Sequence, residues 1–187
     1  MTCSVNSAAH NISNIAAADR AVSNVVTVKP LSQSHGTVRM QALCGFELEE
    51  LREHLPLDFD VPRRAAAAEG KRFLERLYAE WQSGEQRFGD VHEILLAIRV
   101  NGDLAGIGGM TVDPDTPSAM RMRRFYIRPP YRRHGLGSEL ATAILGRALP
   151  SGTIVTVNTD NADAAAFWQA IGFQFDPKPG FTHWRLW

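Results

Sequence analysis

The sequence predicts a mixed α/β fold in a single domain, and three observations carry that prediction. Apolar residues recur at helical spacing as far as Gly84, then gather into short strand-like runs from Ile94. Two of those runs are separated by Asn101-Gly102-Asp103, a hairpin signal because the tight turn needs positive φ. Beyond Pro129 helix-like and strand-like segments alternate to the end of the chain. The 187 residues suffice for one domain with a real core and are too few for two comfortable ones.

Taken in order, Val25–Val28 is a β-branched run closed by Pro30 and reads as a first strand. Cys44, Leu48, Leu51 and Leu55 fall at i, i+4, i+7 and i+11, the stripe of a helix whose other faces carry Glu47, Glu49, Glu50 and Glu53. Pro56 and Pro62 bracket a break at Leu57–Val61. A second helical stripe, Leu74, Leu77, Tyr78 and Trp81, stops near Ser83-Gly84. Strands are expected at Ile94–Val100, Leu104–Val112 and Met120–Ile127, the last ended by Pro129-Pro130. Leu136, Leu140, Ala143 and Ile144 mark a helix stopped by Pro150-Ser151-Gly152. Thr153–Val157 alternates like a strand. Ala164, Phe167, Trp168 and Ile171 make a further helix, with Gly172 at its left-handed cap. Phe173–Phe175 and Phe181–Trp187 read as closing strands. The order is thus strand, two helices, three strands, helix, strand, helix, two strands.

Composition narrows the function classes. At 44% hydrophobic and 21% charged the chain is an ordinary globular protein. Its 20 basic residues balance 20 acidic ones, so net charge points to neither nucleic acid nor a membrane surface. Cys3 and Cys44 lack metal-ligand spacing and fit a reduced, cytoplasmic chain; no metal site is expected. No apolar run approaches the roughly 20 residues of a bilayer crossing. Residues 1–24, rich in Ala, Ser and Asn, lack the features of a secretory signal and are expected to form a flexible tail before a domain spanning 25–187. A monomer or a homodimer is expected.

The informative stretch is Phe125-Tyr126-Ile127-Arg128-Pro129-Pro130-Tyr131-Arg132-Arg133-His134-Gly135-Leu136-Gly137. A strand ends, a basic, glycine-containing turn follows, and a helix begins. Glycines there let backbone approach a ligand closely. The free N–H groups of a helix's first turn favour an anion, and Arg132, Arg133 and His134 add positive charge. The turn therefore suits a pyrophosphate. Leu140 stands where a dinucleotide fingerprint needs its third glycine, and the Gly-Lys-Ser/Thr of a Walker loop is missing.

The chain instead resembles the GNAT superfamily of N-acetyltransferases, whose signature at this place is Gln/Arg-x-x-Gly-x-Gly/Ala; Arg132-Arg133-His134-Gly135-Leu136-Gly137 matches it. Tyr126-Ile127-Arg128-Pro129 matches the preceding strand, and Asn161, Ala164, Ala165 and Gly172-Phe173 match a second family motif. The likeness is good from Ile94 to Phe175, extends plausibly back to Val25, and is absent before that. It implies a central, twisted, mostly antiparallel sheet flanked by helices, with acetyl-CoA as cosubstrate. It further implies that the backbone at Phe125 and Ile127 pairs with the pantetheine arm, on a fourth strand that bulges so that one amide faces the thioester oxygen. Arg132, Arg133, His134, Gly135, Leu136, Gly137 and Ser138 would hold the pyrophosphate, and Asn161 would contact the pantetheine region, cap its helix, or both.

Two departures from the family matter. Trp168 stands where many relatives have a Tyr that protonates the leaving thiolate, and indole is a donor only. Its place on the apolar stripe makes it a core residue. Met120–Ile127 contains no carboxylate, whereas many relatives carry a basic Glu at the position of Arg121 or Arg123. Acid and base are both unassigned. The reading is an acetyl-CoA-dependent transferase acting on a small-molecule or peptide amine by direct attack in a ternary complex. A non-catalytic acyl-CoA-binding or sensing domain is the alternative, and an interaction module that has lost the cofactor is a third. Arg121, Arg123 and Arg124 favour a carboxylate-bearing acceptor and α-amines, against which stands the acidic segment Glu47–Glu53, suited to polycations if it lines the cleft.

Overall fold

The computed structural model describes residues 45–147 and 149–187; the tail at 1–24 and the strand expected at Val25–Val28 lie outside them. Seven strands form one sheet in the order β1-β2-β3-β4-β5-β7-β6. They are β1 (Glu47–Glu50), β2 (Ile94–Val100), β3 (Asp103–Val112), β4 (Ala119–Ile127), β5 (Ile154–Val157), β6 (Gln174–Lys178) and β7 (Phe181–Leu186). Four helices flank it: α1 (Asp60–Ala68), α2 (Phe73–Ser83), α3 (Leu136–Leu145) and α4 (Ala162–Ala170). Only β4 and β5 pair in parallel; every other neighbouring pair is antiparallel. The sheet is thus mixed but mostly antiparallel, as expected.

Each face of the sheet is covered by one helical pair. Leu136, Leu140, Ala141 and Ile144 of α3 and Trp168 of α4 pack on Ile94, Leu96, Ile98, Met120, Met122 and Val155. Ala66 of α1 and Leu74, Leu77 and Trp81 of α2 pack on Leu95, Ala97, Ile107 and Tyr126. Leu74 and Leu77 are fully buried, each contributing roughly 1.5–3 kcal/mol by leaving water. Successive β2 residues feed opposite cores, which explains an uninterrupted Ile-Leu-Leu-Ala-Ile run in a strand.

Most boundaries follow the sequence pattern. Asn101 and Gly102 adopt φ of 51° and 85°, as the β2–β3 hairpin requires. Gly172, φ 95°, follows α4 in the left-handed conformation expected of it.

The stretch from 44 to 55 is different: Glu47–Glu50 is strand, not helix. Leu48 lies with the α3/α4 core and Leu51 with the α1/α2 core, on opposite sides of the sheet. Residues three apart share a helix face but oppose one another across a strand, so the apparent helical stripe was a coincidence of spacing. Phe46-Glu47-Leu48-Glu49 carries the strict alternation of a strand. The first of the two expected helices is instead α1, which begins inside the expected break. Pro62 falls in its first turn, where a missing N–H is tolerated.

β1 is the far strand of its side of the sheet, separated from β4 by β2 and β3. Glu49 pairs with Arg99 at 3.2 Å and Glu50 with Arg52 at 2.7 Å. The acidic segment therefore does not line the region around β4. Among the described residues, no helix is long and apolar enough to cross a membrane.

Candidate functional site

Two irregularities in β4 create the site. The first is a bulge. Arg123 pairs with Gly109 and Tyr126 with Ile107, leaving Arg124 and Phe125 opposite the single residue Gly108. Arg124 takes φ 57°, the left-handed turn that absorbs the extra residue. The alternation of the strand shifts as a result. Arg121 and Arg123 lie on the α1/α2 face before the bulge, and Arg124 and Tyr126 lie on that same face after it, so Arg123 and Arg124 are consecutive neighbours there. Phe125 and Ile127 turn to the α3/α4 side.

The second irregularity is a divergence. β4 and β5 pair only at Ala119–Ile154, Met120–Val155 and Arg121–Thr156. Beyond them no β5 residue pairs with β4, while β5 continues to pair with β7 through Val157. The bulged half of β4 thus borders an opening in the sheet.

α3 starts just past the end of β4. Gly135, φ 82°, is its N-cap residue, and no side chain caps the helix. The first-turn N–H groups at Leu136, Gly137 and Ser138 are accordingly free of a side-chain acceptor. Arg133 and His134 are exposed and make no hydrogen bond or ion pair among the described residues. Arg133 itself has φ 67°, so this turn contains two left-handed residues in three. Leu136 contributes only backbone, because its side chain is buried in the core.

The residues expected from Phe125 to Ser138 run from the end of β4 through the turn into α3, with different tasks for some, while Asn161 stands apart at the start of α4. Arg132 is engaged elsewhere: its guanidinium meets Glu69 at 2.7 and 2.9 Å and donates to the Ile127 carbonyl at 2.8 Å. It braces the turn against α1 and occupies the Ile127 carbonyl. Gly137 is needed for packing, since a Cβ there would come within 3.2 Å of Phe167. Gly135 has open space at its Cβ position and is required by its φ. Asn161 is the N-cap of α4, its Oδ1 accepting from the Ala164 N–H at 2.8 Å. Trp168 is buried and packs edge-on against Phe125, Phe167 and Phe173 at 5.0–5.1 Å. It is a core residue.

Sequence reasoning missed three carboxylates that surround β4. Glu80 of α2 holds Arg124 through both oxygens, at 2.5 and 2.6 Å. Asp113, with no exposed surface, accepts from Arg121 at 2.8 and 3.1 Å and from Thr156 at 2.6 Å. Glu69 accepts from Tyr126 at 2.7 Å as well as from Arg132. Burial works to raise the Glu69 carboxyl, but hydrogen bonds from Arg132 and Tyr126 outweigh it and hold it below the usual range. Tyr126 is pushed well above an ordinary phenol by burial and by the Glu69 carboxylate. Tyr131 is raised by the same two influences, its partner being Asp103 at 2.8 Å. Glu80 had a signal: it follows Leu77 by three and Phe73 by seven, a carboxylate on a buried helical stripe. Asp113 and Glu69 sit at element ends and had none.

Comparisons with known proteins show the family and the fold. A model of the acetyltransferase (GNAT) family matches residues 48–173. A proposed acetyltransferase from Exiguobacterium sp. 255-15 shares 22% identity over 75% of this chain and 93% of its own, with a TM-score of 0.63. An acetyltransferase from Streptococcus agalactiae shares 14% over 76% and 98%, with a TM-score of 0.59. One from Thermus thermophilus shares 19% over 75% and 97%, with a TM-score of 0.54. At these identities the solved structures show a common fold. No curated protein matches the sequence significantly.

Proposed function

The chain belongs to the acetyltransferase (GNAT) family, and from that premise we propose that it transfers an acetyl group from acetyl-coenzyme A to an amine. The observation that carries this reading is the bulge at Arg124–Phe125 beside the β4–β5 opening, one short turn away from an uncapped helix N-terminus. An extended arm ending in a pyrophosphate fits that pair of features. The first turn of α3, Arg133, His134 and Ser138 would hold the phosphates. The unpaired backbone of β4 near Phe125 would run beside the arm, and an amide of the bulge would face the acyl oxygen. Acetyl-CoA supplies an activated acyl carbon.

The chain's own residues then do three things. They orient the acyl group, exclude water with the Phe125 and Phe167 rings, and stabilise charge. The neutral acceptor nitrogen would attack the acyl carbon, the C–N bond forming and the C–S bond breaking; the amine proton passes to solvent, and coenzyme A leaves as a thiolate that takes a proton from solvent. Losing one backbone donor to the developing oxyanion would cost about 2.7–4 kcal/mol. Among the described residues, the carboxylates around β4, Glu80, Asp113 and Glu69, are all held by arginines and are not free to act as a base. A water relay is the consistent route.

That same feature favours a second reading, a non-catalytic acyl-CoA-binding domain. An assay of coenzyme thiol release over a panel of amines, with mass detection of the N-acetyl product, separates the two. Amine-dependent release is the expected result. Binding of acetyl-CoA without turnover of any amine would select the second reading.

A further inference from the structure

The arginines of β4 are not equivalent. Arg121 is neutralised by Asp113 and Asp115, at 2.8 and 2.9 Å. Arg124 takes both oxygens of Glu80. Arg123 stands between them and makes no hydrogen bond among the described residues; its nearest carboxylate oxygen is the already engaged Glu80 Oε1, at 3.9 Å. Its side chain is three-quarters buried, being 25% exposed. Arg76 of α2 and the two neighbouring arginines bear on it electrostatically, against the single shared charge of Glu80. None of its guanidinium nitrogens is among the buried unpartnered atoms, so solvent reaches the planar donor fork, and the fork is open to an anion that accepts from it in two-point fashion.

Its position says which anion. Arg123 lies two residues past the last β4–β5 pair, at the mouth of the opening, and immediately before the bulge. On one side stands α2, with Glu80. Two residues earlier on the same face, the β6–β7 turn approaches Arg121, where a Cβ on Gly180 would fall 3.1 Å from the Arg121 guanidinium. A group reaching Arg123 from the opening would therefore lie a few atoms from the acyl carbon placed at the bulge.

We propose that Arg123 is the acceptor-specificity residue, and that it binds the carboxylate of a small amine carrying amine and carboxylate close together, as an amino acid does. This rests on the acetyl-transfer reading above and deepens it. The unused fork matches a carboxylate in two-point fashion, and the excess positive charge repels polyamines and aminoglycosides.

The test compares wild type, Arg123→Gln and Arg123→Lys on free amino acids, their carboxamides, acidic peptides and polyamines, at equal concentrations of unprotonated amine. Wild type should prefer the free acids to the carboxamides at least tenfold in kcat/KM, mostly through KM. Arg123→Gln should abolish that preference through a raised KM for the free acids while the acetyl-CoA thermal shift stays as in wild type, and Arg123→Lys should restore part of the preference. Wild type acting equally on acids and carboxamides, or preferring polyamines or peptides, would overturn the proposal even if Arg123→Gln failed to fold. A wild-type chain that binds no acetyl-CoA would overturn the transfer reading itself, and this inference with it.

Discussion

Glu80 is the residue on which the α1/α2 side of β4 depends. It is one carboxylate serving two arginines, and Arg124 is almost wholly buried, with its Nε unpartnered among the described residues. Glu80→Ala should destabilise the protein by about 3–5 kcal/mol, because it strands that charge in the interior. The double variant Glu80→Met with Arg124→Met should recover most of the loss in a denaturant titration. A small effect of the single variant would show that water reaches Arg124. Trp168 is expected to matter through packing alone. Trp168→Phe should cost about 1–2 kcal/mol, less than the 3–5 kcal/mol of truncation to Ala, and leave kcat within a few-fold. Losing a general acid would cost at least about 100-fold, so a collapse of that size in a folded variant refutes a packing role. His183 tests the pH dependence. It is fully buried, its Nε2 has no partner among the described residues, and burial lowers it from the ordinary value of 6.5. The unfolded chain then binds the extra proton first, so stability falls as pH drops below 6.5 towards the folded value. His183→Gln should flatten that part of the stability profile, and an unchanged slope would place the loss on other groups.

Elements were legible wherever the pattern had one explanation. The β2–β3 hairpin, β4 and the end of α4 could be read from Asn101-Gly102, Pro129-Pro130 and Gly172, and α2 and α3 from the apolar stripes Leu74–Trp81 and Leu136–Ile144. β1 was misread because four apolar residues matched a helical spacing while the short Phe46-Glu47-Leu48-Glu49 alternation pointed the other way. The bulge was expected by family likeness alone, since nothing in Arg123-Arg124-Phe125 announces a left-handed arginine. Its support lies across the sheet in β3, where Gly106, Gly108 and Gly109 make room for Ile127, Phe125 and Phe88. A Cβ on Gly109 would meet the Ile94 carbonyl at 2.8 Å and Phe88 at 2.6 Å. Gly109→Ala should therefore cost roughly 1–3 kcal/mol as an overpacking substitution, read from the shift in denaturation midpoint. A neutral result would show that β2 and β3 can separate there without loss.

At the scale of the whole molecule, one sheet with a helical pair on each face divides between β4 and β5, and the division sets the chemistry. The α3/α4 face supplies a helix N-terminus and aromatic packing, and the α1/α2 face supplies arginines with tied carboxylates. The turn between β4 and α3 was legible because it depends on glycines and a local strand–turn–helix order. On the α1/α2 side the arginines of β4 were legible but their partners were not, because Glu80 and Asp113 reach Arg124 and Arg121 only through tertiary packing. The central claim is that this opening holds acetyl-CoA. Calorimetric titration, paired with thermal unfolding of wild type and Gly135→Val, tests it most directly. One site per chain is expected, with about 2.7 kcal/mol of stabilisation at one hundred times Kd and a raised Tm. Both should be lost when a β-branched residue is forced to positive φ at the α3 N-terminus. No heat of binding and no change in Tm at millimolar acetyl-CoA, or unaltered binding by Gly135→Val, would contradict it.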